Sequence, residues 1–139
     1  MPDTIRLVDY YYVVTPNRPG AAAGVLAELR DAGVNLLAFH GFPSGRQSQL
    51  DFVPSDPAAF KAAARKGRWK VVGPRKAILI EGDDRVGALV NYFERLAAAG
   101  INVTANDAAV AGAGRFGALI WVAPRDVRRA TRVLGAQGS

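Results

Sequence analysis

Two short segments of the sequence, 67 positions apart, carry residue types that could bind a small zwitterion. They are Asn17-Arg18-Pro19-Gly20 and Asp84-Arg85-Val86-Gly87, and each is predicted to lie where a strand ends and a helix begins. The N-terminus of a helix presents unpaired N–H groups and the positive end of its dipole to a carboxylate. A glycine lets a ligand approach the backbone, and the side chain of Asn17 or Asp84 could accept a hydrogen bond from an ammonium group. Both segments are therefore candidate sites for a free amino acid.

The two segments belong to an internal repeat. At the same offset of 67 positions, Ala32-Gly33-Val34-Asn35 corresponds to Ala99-Gly100-Ile101-Asn102, and Leu29 corresponds to Leu96. A repeat of this kind decides the assignment of the whole fold. The sequence therefore predicts two copies of one unit, with a first domain over residues 1–74 and a second over residues 75–139.

The elements that must position these segments follow from the hydrophobic pattern, the helix caps and the turn residues. The first copy is predicted to contain strand Val8–Thr15, a helix capped by Asn17 and ending near Ala32, strands Val34–Phe42 and Ser48–Val53, a helix opened by Asp56-Pro57 and ending near Gly67, and a short strand Trp69–Val72. This β-α-β-β-α-β order predicts an antiparallel four-stranded sheet with two helices on one face.

The second copy repeats this order without its last strand. Its predicted elements are strand Ala77–Glu81, a helix capped by Asp84, strands Ile101–Val110 and Ala118–Val122 joined by the glycine-rich link Ala111–Gly117, and helix Pro124–Leu134. The remaining residues, Gly135–Ser139, are too few and too polar for a fourth strand. Another segment or another chain fills that edge, or it stays open, and bare edges are a liability that proteins usually cover. The fold class is α+β, with two ferredoxin-like units.

The repeated pattern resembles the ACT domain, a small amino-acid-sensing module. The resemblance rests on Asn/Asp-Arg-Pro-Gly before a helix and Ala-Gly-Val/Ile-Asn before the next strand, and Val86 departs from it because it replaces the proline. It covers nearly the whole chain, as in free-standing tandem ACT proteins. It implies two βαββαβ units packed side by side, and an amino acid bound where the first loop of one unit meets the second strand of its neighbour. It further implies a non-enzymatic homo-oligomer that signals ligand occupancy to a separate enzyme or transcription regulator. The implied ligand-binding residues are Asn17, Arg18, Pro19, Gly20, Asn35, Asp84, Arg85, Val86, Gly87 and Asn102.

Other interpretations of these features stay open at this point. Asn17 and Asp84 are also good N-caps, and Gly20 and Gly87 could serve tight packing, in which case the chain is a structural dimerisation module without a ligand. The net charge of +6 allows a basic, nucleic-acid-associated ferredoxin-like module instead. A solvated surface is the commoner explanation of such a charge.

The remaining side-chain chemistry of the sequence is sparse. There is no cysteine and His40 is the single histidine, so the sequence predicts no disulfide, metal centre, cofactor or catalytic triad. Gly112–Gly117 matches the dinucleotide-binding fingerprint in letters, but a strand is predicted after it where that fingerprint requires a helix, so we interpret it as a hairpin link. No apolar run reaches the roughly 20 residues of a transmembrane helix, and no signal peptide is recognisable. These features predict a cytoplasmic protein.

Overall fold

The computed structural model describes residues 2–138, which form six strands, four α-helices and one 3-10 helix. The elements in chain order are β1 (Thr4–Pro16), α1 (Ala21–Asp31), β2 (Leu36–Ser44), β3 (Gln47–Pro54), α2 (Pro57–Gly67), β4 (Val72–Asp83), α3 (Val90–Ala98), β5 (Val103–Gly112), β6 (Arg115–Val122), the 3-10 helix (Pro124–Asp126) and α4 (Val127–Leu134). The chain divides into an N-terminal unit, Asp9–Arg75, and a C-terminal unit, residues 2–8 together with residues 76–138. None of these helices is both long enough and apolar enough to cross a lipid bilayer.

In the N-terminal unit, β3 lies between β2 and β1 and is antiparallel to both. Alternation along β1 directs Tyr11 and Val13 to one face, where Tyr11 lies opposite Phe52 of β3. Helices α1 and α2 cover this face through Leu29 and Phe60, which are almost fully buried. The rings of Tyr11 and Phe60 stack with their centroids 4.9 Å apart. The two helices therefore cover one face of the sheet, as the β-α-β-β-α-β order predicts.

In the C-terminal unit, β6 lies between β4 and β5, again with antiparallel pairing. Ile78 of β4 lies opposite Ile120 of β6, and both belong to a core that also contains Tyr92 and Leu96 of α3 and Leu134 of α4. The two helices thus cover one face of the sheet, as in the first unit. The predicted α+β class with two ferredoxin-like units is confirmed.

The open edge of the C-terminal unit is filled from the beginning of the chain. Residues 4–8 of β1 belong to this unit, and β1 is the neighbour of β4 in the sheet order. The chain end joins them only by a short bridge, in which Leu7 N donates to Gln137 O at 2.7 Å and Gln137 N donates to Ile5 O at 2.9 Å. The sequence-based division at residues 74 and 75 does not anticipate this arrangement, because it depends on pairing between the two ends of the chain.

Two predicted elements differ from the structure. The separate strand Trp69–Val72 is wrong, since β4 begins at Val72 and runs without interruption to Asp83. Its interior contains Gly73-Pro74, a dipeptide that indicates a turn when only the sequence is considered.

The glycine-rich link is also shorter than predicted. Strands β5 and β6 extend to Gly112 and Arg115, which leaves the two-residue turn Ala113-Gly114 with φ values of 53° and 69°. Positive φ at both positions is typical of a type I′ hairpin turn. The interpretation of Gly112–Gly117 as a hairpin link is confirmed, because β6 follows it.

Candidate ligand-binding site

The first candidate loop, Asn17–Gly20, does not cap α1 with a side chain. The helix begins at Ala21 with Gly20 in the N-cap position at φ 88°, and no side chain among residues 2–138 caps it with a hydrogen bond. Asn17 lies outside the helix, where its Oδ1 accepts a hydrogen bond from Ser48 Oγ at 3.0 Å. The prediction that Asn17 is the cap is wrong, because the loop makes an extra turn in which Ala21 N donates to Arg18 O at 3.3 Å.

The second candidate loop, Asp84–Gly87, behaves in the same way. Helix α3 begins at Val90 after Leu89, and again no side chain in the described part of the chain caps it. Asp84 is exposed, and its backbone N donates to Gly114 O at 2.8 Å. The prediction that Asp84 is a cap is therefore also wrong. A single turn, in which Val90 N donates to Gly87 O at 3.1 Å, separates the loop from the helix.

Helix α2 shows what side-chain capping looks like in this chain. Asp56 accepts hydrogen bonds from Ala58 N at 3.1 Å and from Ala59 N at 3.4 Å, with Pro57 in the first turn. The first-turn amides of an α-helix have no intrahelical partner, and in α1 no side chain of residues 2–138 takes that place. Side-chain capping therefore does not explain the repeated motif.

The two loop glycines are required by backbone conformation. Gly20 and Gly87 have φ values of 88° and 70°, a region that side chains strongly disfavour. A Cβ atom on Gly20 would meet no heavy atom within 4 Å, and one on Gly87 would come no closer than 3.5 Å, to Val90. Open space therefore lies beside the backbone in both loops. The neighbouring Pro19 and Val86 are exposed.

The arginines of the two loops have different surroundings. Arg85 donates a hydrogen bond from each of its two terminal nitrogens to the carboxylate of Asp3, at 3.0 and 3.3 Å. It also donates to Asp83 O at 2.9 Å. Arg18 is exposed and makes no ion pair with any of residues 2–138. One copy of the motif therefore holds a carboxylate of the chain itself, whereas the other offers a free guanidinium.

Asp3 and Tyr92 complete the cluster around Arg85. The Tyr92 hydroxyl donates to Asp3 Oδ2, and the Asp3 side chain is only 10% exposed. The hydrogen bond from Arg85, assisted by that from Tyr92, lowers the pKa of Asp3 although burial opposes the shift. Burial, together with the bond to Asp3, raises the pKa of Tyr92. Sequence reasoning missed this role of Asp3, since no local pattern connects residues 3 and 85.

An open cleft of about 420 Å³ adjoins the cluster in the C-terminal unit. Its lining residues are Pro2, Asp3, Ile5, Asp83, Arg85, Asn91, Tyr92 and Arg95. Both acidic and basic groups face this space, so it suits a small polar molecule better than an apolar one. Within residues 2–138 no group of three or more histidine and acidic side chains is arranged to hold a metal ion.

The asparagines of the motif lie far from the loops of their own unit. Pro16, just before the first loop, pairs with Gln47, whereas Leu36, just after Asn35, pairs with Pro54 at the other end of β3. Seven residues of strand correspond to about 23 Å. The same holds in the C-terminal unit, where Asp83 pairs with Arg115 and Val103, next to Asn102, pairs with Val122. The structure does not bring the loop and the asparagine of one unit together.

The chain contains two ferredoxin-like units, each with one of the two candidate loops before its first helix. No family model and no curated protein matches the sequence. The structure is similar to that of protein BT0572 from Bacteroides thetaiotaomicron, with a TM-score of 0.80 and 19% identity over 94% of this chain and 88% of that one. It is also similar to the regulatory subunit of aspartate kinase from Thermus thermophilus, with a TM-score of 0.65 and 14% identity over 97% and 96% of the two chains. For aspartokinase alpha and beta subunits the TM-score is 0.64, with 19% identity over 96% and 95%. These similarities confirm the fold.

Proposed function

We propose that this chain is a non-enzymatic regulatory protein that binds a small amino acid at the loop Asn17–Gly20. The observation that carries the proposal is the start of α1, which no side chain of residues 2–138 caps, together with the exposed Arg18 of the preceding loop, which makes no ion pair within the same residues. A helix N-terminus and an arginine are both good partners for a carboxylate. The Asn17 Oδ1 atom, which has two lone pairs and accepts one bond from Ser48, can accept a second from the ammonium group.

The complete site uses a second unit. Since Asn35 lies at the opposite end of its own unit from the loop, the asparagine that reaches a ligand comes from a second copy of the chain in a homo-oligomer. A ligand that bridges two copies stabilises one arrangement of the oligomer, which shifts the population between states. That shift is the signal passed to a separate partner, an enzyme or a transcription regulator. The fold shared with regulatory subunits of aspartate kinase supports this role.

A thermal-unfolding screen against the twenty amino acids tests the proposal. A ligand at about 100 times its Kd stabilises the folded state by roughly 2.7 kcal/mol, which corresponds to about 5–10 °C for a chain of this size. The shift should vanish in Arg18→Ala. It should persist in the matched control Arg30→Ala, because Arg30 lies in the last turn of α1 and pairs only with exposed Asp31. No shift with any amino acid, or a shift equal in both variants, would contradict the proposal.

A second candidate function is favoured by the charge distribution around α2. Five cationic residues in and just after α2 are exposed and make no ion pair within residues 2–138. These residues are Lys61, Arg65, Lys66, Arg68 and Lys70. Such a surface suits a nucleic acid or another polyanion. Retention on immobilised DNA that weakens steeply with salt and is lost on replacing Lys66 and Arg68 by glutamine would favour this function over the amino-acid sensor.

A further inference from the structure

The Asp3 carboxylate is bound as a ligand would be bound. Two nitrogens of Arg85 meet its two oxygens, and the Tyr92 hydroxyl adds a third hydrogen bond. Paired N–H···O bonds from one guanidinium are the most specific way in which proteins recognise a carboxylate. The contact is formed by residues 82 positions apart in the sequence, so it is not a by-product of local turn structure.

The surroundings leave room for this carboxylate. A Cβ atom on Gly82 would lie 2.1 Å from Asp3 Oδ1, so the absence of a side chain at residue 82 creates the space that the carboxylate fills. Asp3 also lines the cleft of about 420 Å³, to which Asn91 and Arg95 contribute. The space is therefore wider than the aspartate side chain needs.

The internal repeat allows Arg85 to be compared with its counterpart in the N-terminal copy. Arg85 follows Arg18 at the repeat offset of 67 positions, so the two arginines hold the same place in the motif. In the N-terminal copy this arginine has no acidic partner among residues 2–138. The C-terminal copy thus contains a carboxylate at the position where the N-terminal copy is open.

We propose that Arg85 and Tyr92 form a binding site for a small carboxylate, and that Asp3 of the same chain occupies this site as an internal ligand. Because Asp3 is tethered, its effective concentration at the site exceeds that of free acids at ordinary concentrations. The C-terminal copy is consequently unresponsive in the intact protein, and an external carboxylate binds there when the Asp3 carboxyl group is removed. The site lies within the C-terminal unit and stands whether or not the N-terminal loop binds an amino acid.

Chemical rescue of Asp3→Gly with sodium acetate tests the proposal. The variant removes the internal carboxylate and leaves Arg85 and Tyr92 in place, so acetate should restore stability in a saturable manner. At an acetate concentration 100 times its Kd, the ratio of folded to unfolded protein should rise about 100-fold. Sodium chloride at equal ionic strength is the reference for unspecific salt effects, and urea unfolding is the readout.

Three controls define the outcome. Wild type and Asp3→Asn should gain nothing from acetate over chloride, because a side chain still fills the site. Asp3→Gly/Arg85→Met should gain nothing either, because the guanidinium is gone. If Asp3→Gly is largely unfolded, the titration is run with sucrose in every sample, which favours the compact state. An acetate effect that is absent in Asp3→Gly, or that is equally large in the double variant, would overturn the proposal.

Discussion

Replacing Gly82 by alanine should destabilise the C-terminal unit, because the added methyl group would enter space that two side chains already fill. The new Cβ would lie 2.1 Å from Asp3 Oδ1 and 2.8 Å from Phe116 Cε1. Both distances are far below van der Waals contact, so the Asp3 carboxyl group must swing away from Arg85 and the buried ring of Phe116 must shift.

The size of the effect follows from these two displacements. Overpacking by one methyl group typically costs about 1–3 kcal/mol, which corresponds to roughly 2–12 °C in Tm for a chain near 150 residues. The matched control is Gly117→Ala, since Gly117 lies opposite Glu81, the residue before Gly82, and a Cβ atom there would meet nothing within 4 Å. That control should be neutral or slightly stabilising, because alanine restricts the unfolded chain.

Urea unfolding of both variants, alone and combined with Asp3→Gly, measures the prediction. In the Asp3→Gly background the cost of Gly82→Ala should shrink to the part caused by Phe116, which is a coupling of about 0.5 kcal/mol or more. Equal stabilities of Gly82→Ala and Gly117→Ala would refute the packing described for Asp3. Strict additivity with Asp3→Gly would refute it as well.

Three further predictions concern single side chains. Asp56→Ala should lower the free energy of unfolding by about 0.5–2 kcal/mol, because it removes the cap of α2. Asp84→Ala should lower it clearly less, since Asp84 caps no helix. Chemical denaturation measures both values, and equal losses of stability would contradict this prediction. Tyr11→Phe should be neutral or stabilising by about 1 kcal/mol, because the buried Tyr11 hydroxyl has no hydrogen-bond partner within residues 2–138. Tyr92→Phe should be destabilising, because it removes the hydrogen bond to Asp3. A lower Tm for Tyr11→Phe than for Tyr92→Phe would contradict these roles of the two hydroxyl groups. The pKa of Asp3 is lowered in the folded state, mainly by its hydrogen bond with Arg85. The ionised carboxylate therefore stabilises the folded protein above the unfolded-state pKa near 3.9, and this stabilisation is lost as the pH falls toward the folded-state pKa. The free energy of unfolding of wild type should exceed that of Asp3→Asn at neutral pH and lose this excess below about pH 4, and an excess that stays constant through this range would contradict the shift.

Much of the fold is predictable because its determinants are local. The alternation that buries Tyr11 and Val13 on one face of β1 is visible in eight consecutive residues. The pair Asp56-Pro57 fixes the start of α2 by the bond geometry of its own turn. The repeat then extends each local assignment to a second place in the chain. Local pattern and repeat together are sufficient for the ferredoxin-like topology.

The strand that completes the C-terminal sheet is not predictable in the same way. It depends on residues 4–8 and on bonds such as the one between Leu7 and Gln137, and such pairing between distant segments leaves no periodic signature. The same is true of Asp3, whose partner Arg85 is 82 positions away. Long-range polar contacts of this kind depend on the fold itself.

The candidate loops lie between these two cases. Their residue types correctly indicate that a helix begins nearby, yet they also predict that Asn17 and Asp84 cap helices that in fact begin at Ala21 and Val90. Whether a residue caps a helix depends on the exact residue at which the helix begins, and the left-handed conformation of Gly20 moves the start of α1 to Ala21. Residue preference alone cannot resolve such a shift, because asparagine and aspartate are favoured both in caps and in turns.

If an amino acid binds at the start of α1, a backbone-amide NMR titration detects the binding at the loop itself. ¹⁵N-labelled wild-type protein would be titrated with each amino acid while the amide resonances of residues 17–24 are followed. Binding at this loop should give saturable shifts for one amino acid, with the largest shifts at Arg18, Gly20, Ala22 and Ala23, and these shifts should disappear in Arg18→Ala. Titrations that leave these amides unmoved with all twenty amino acids, or that move only amides elsewhere in the chain, would contradict it.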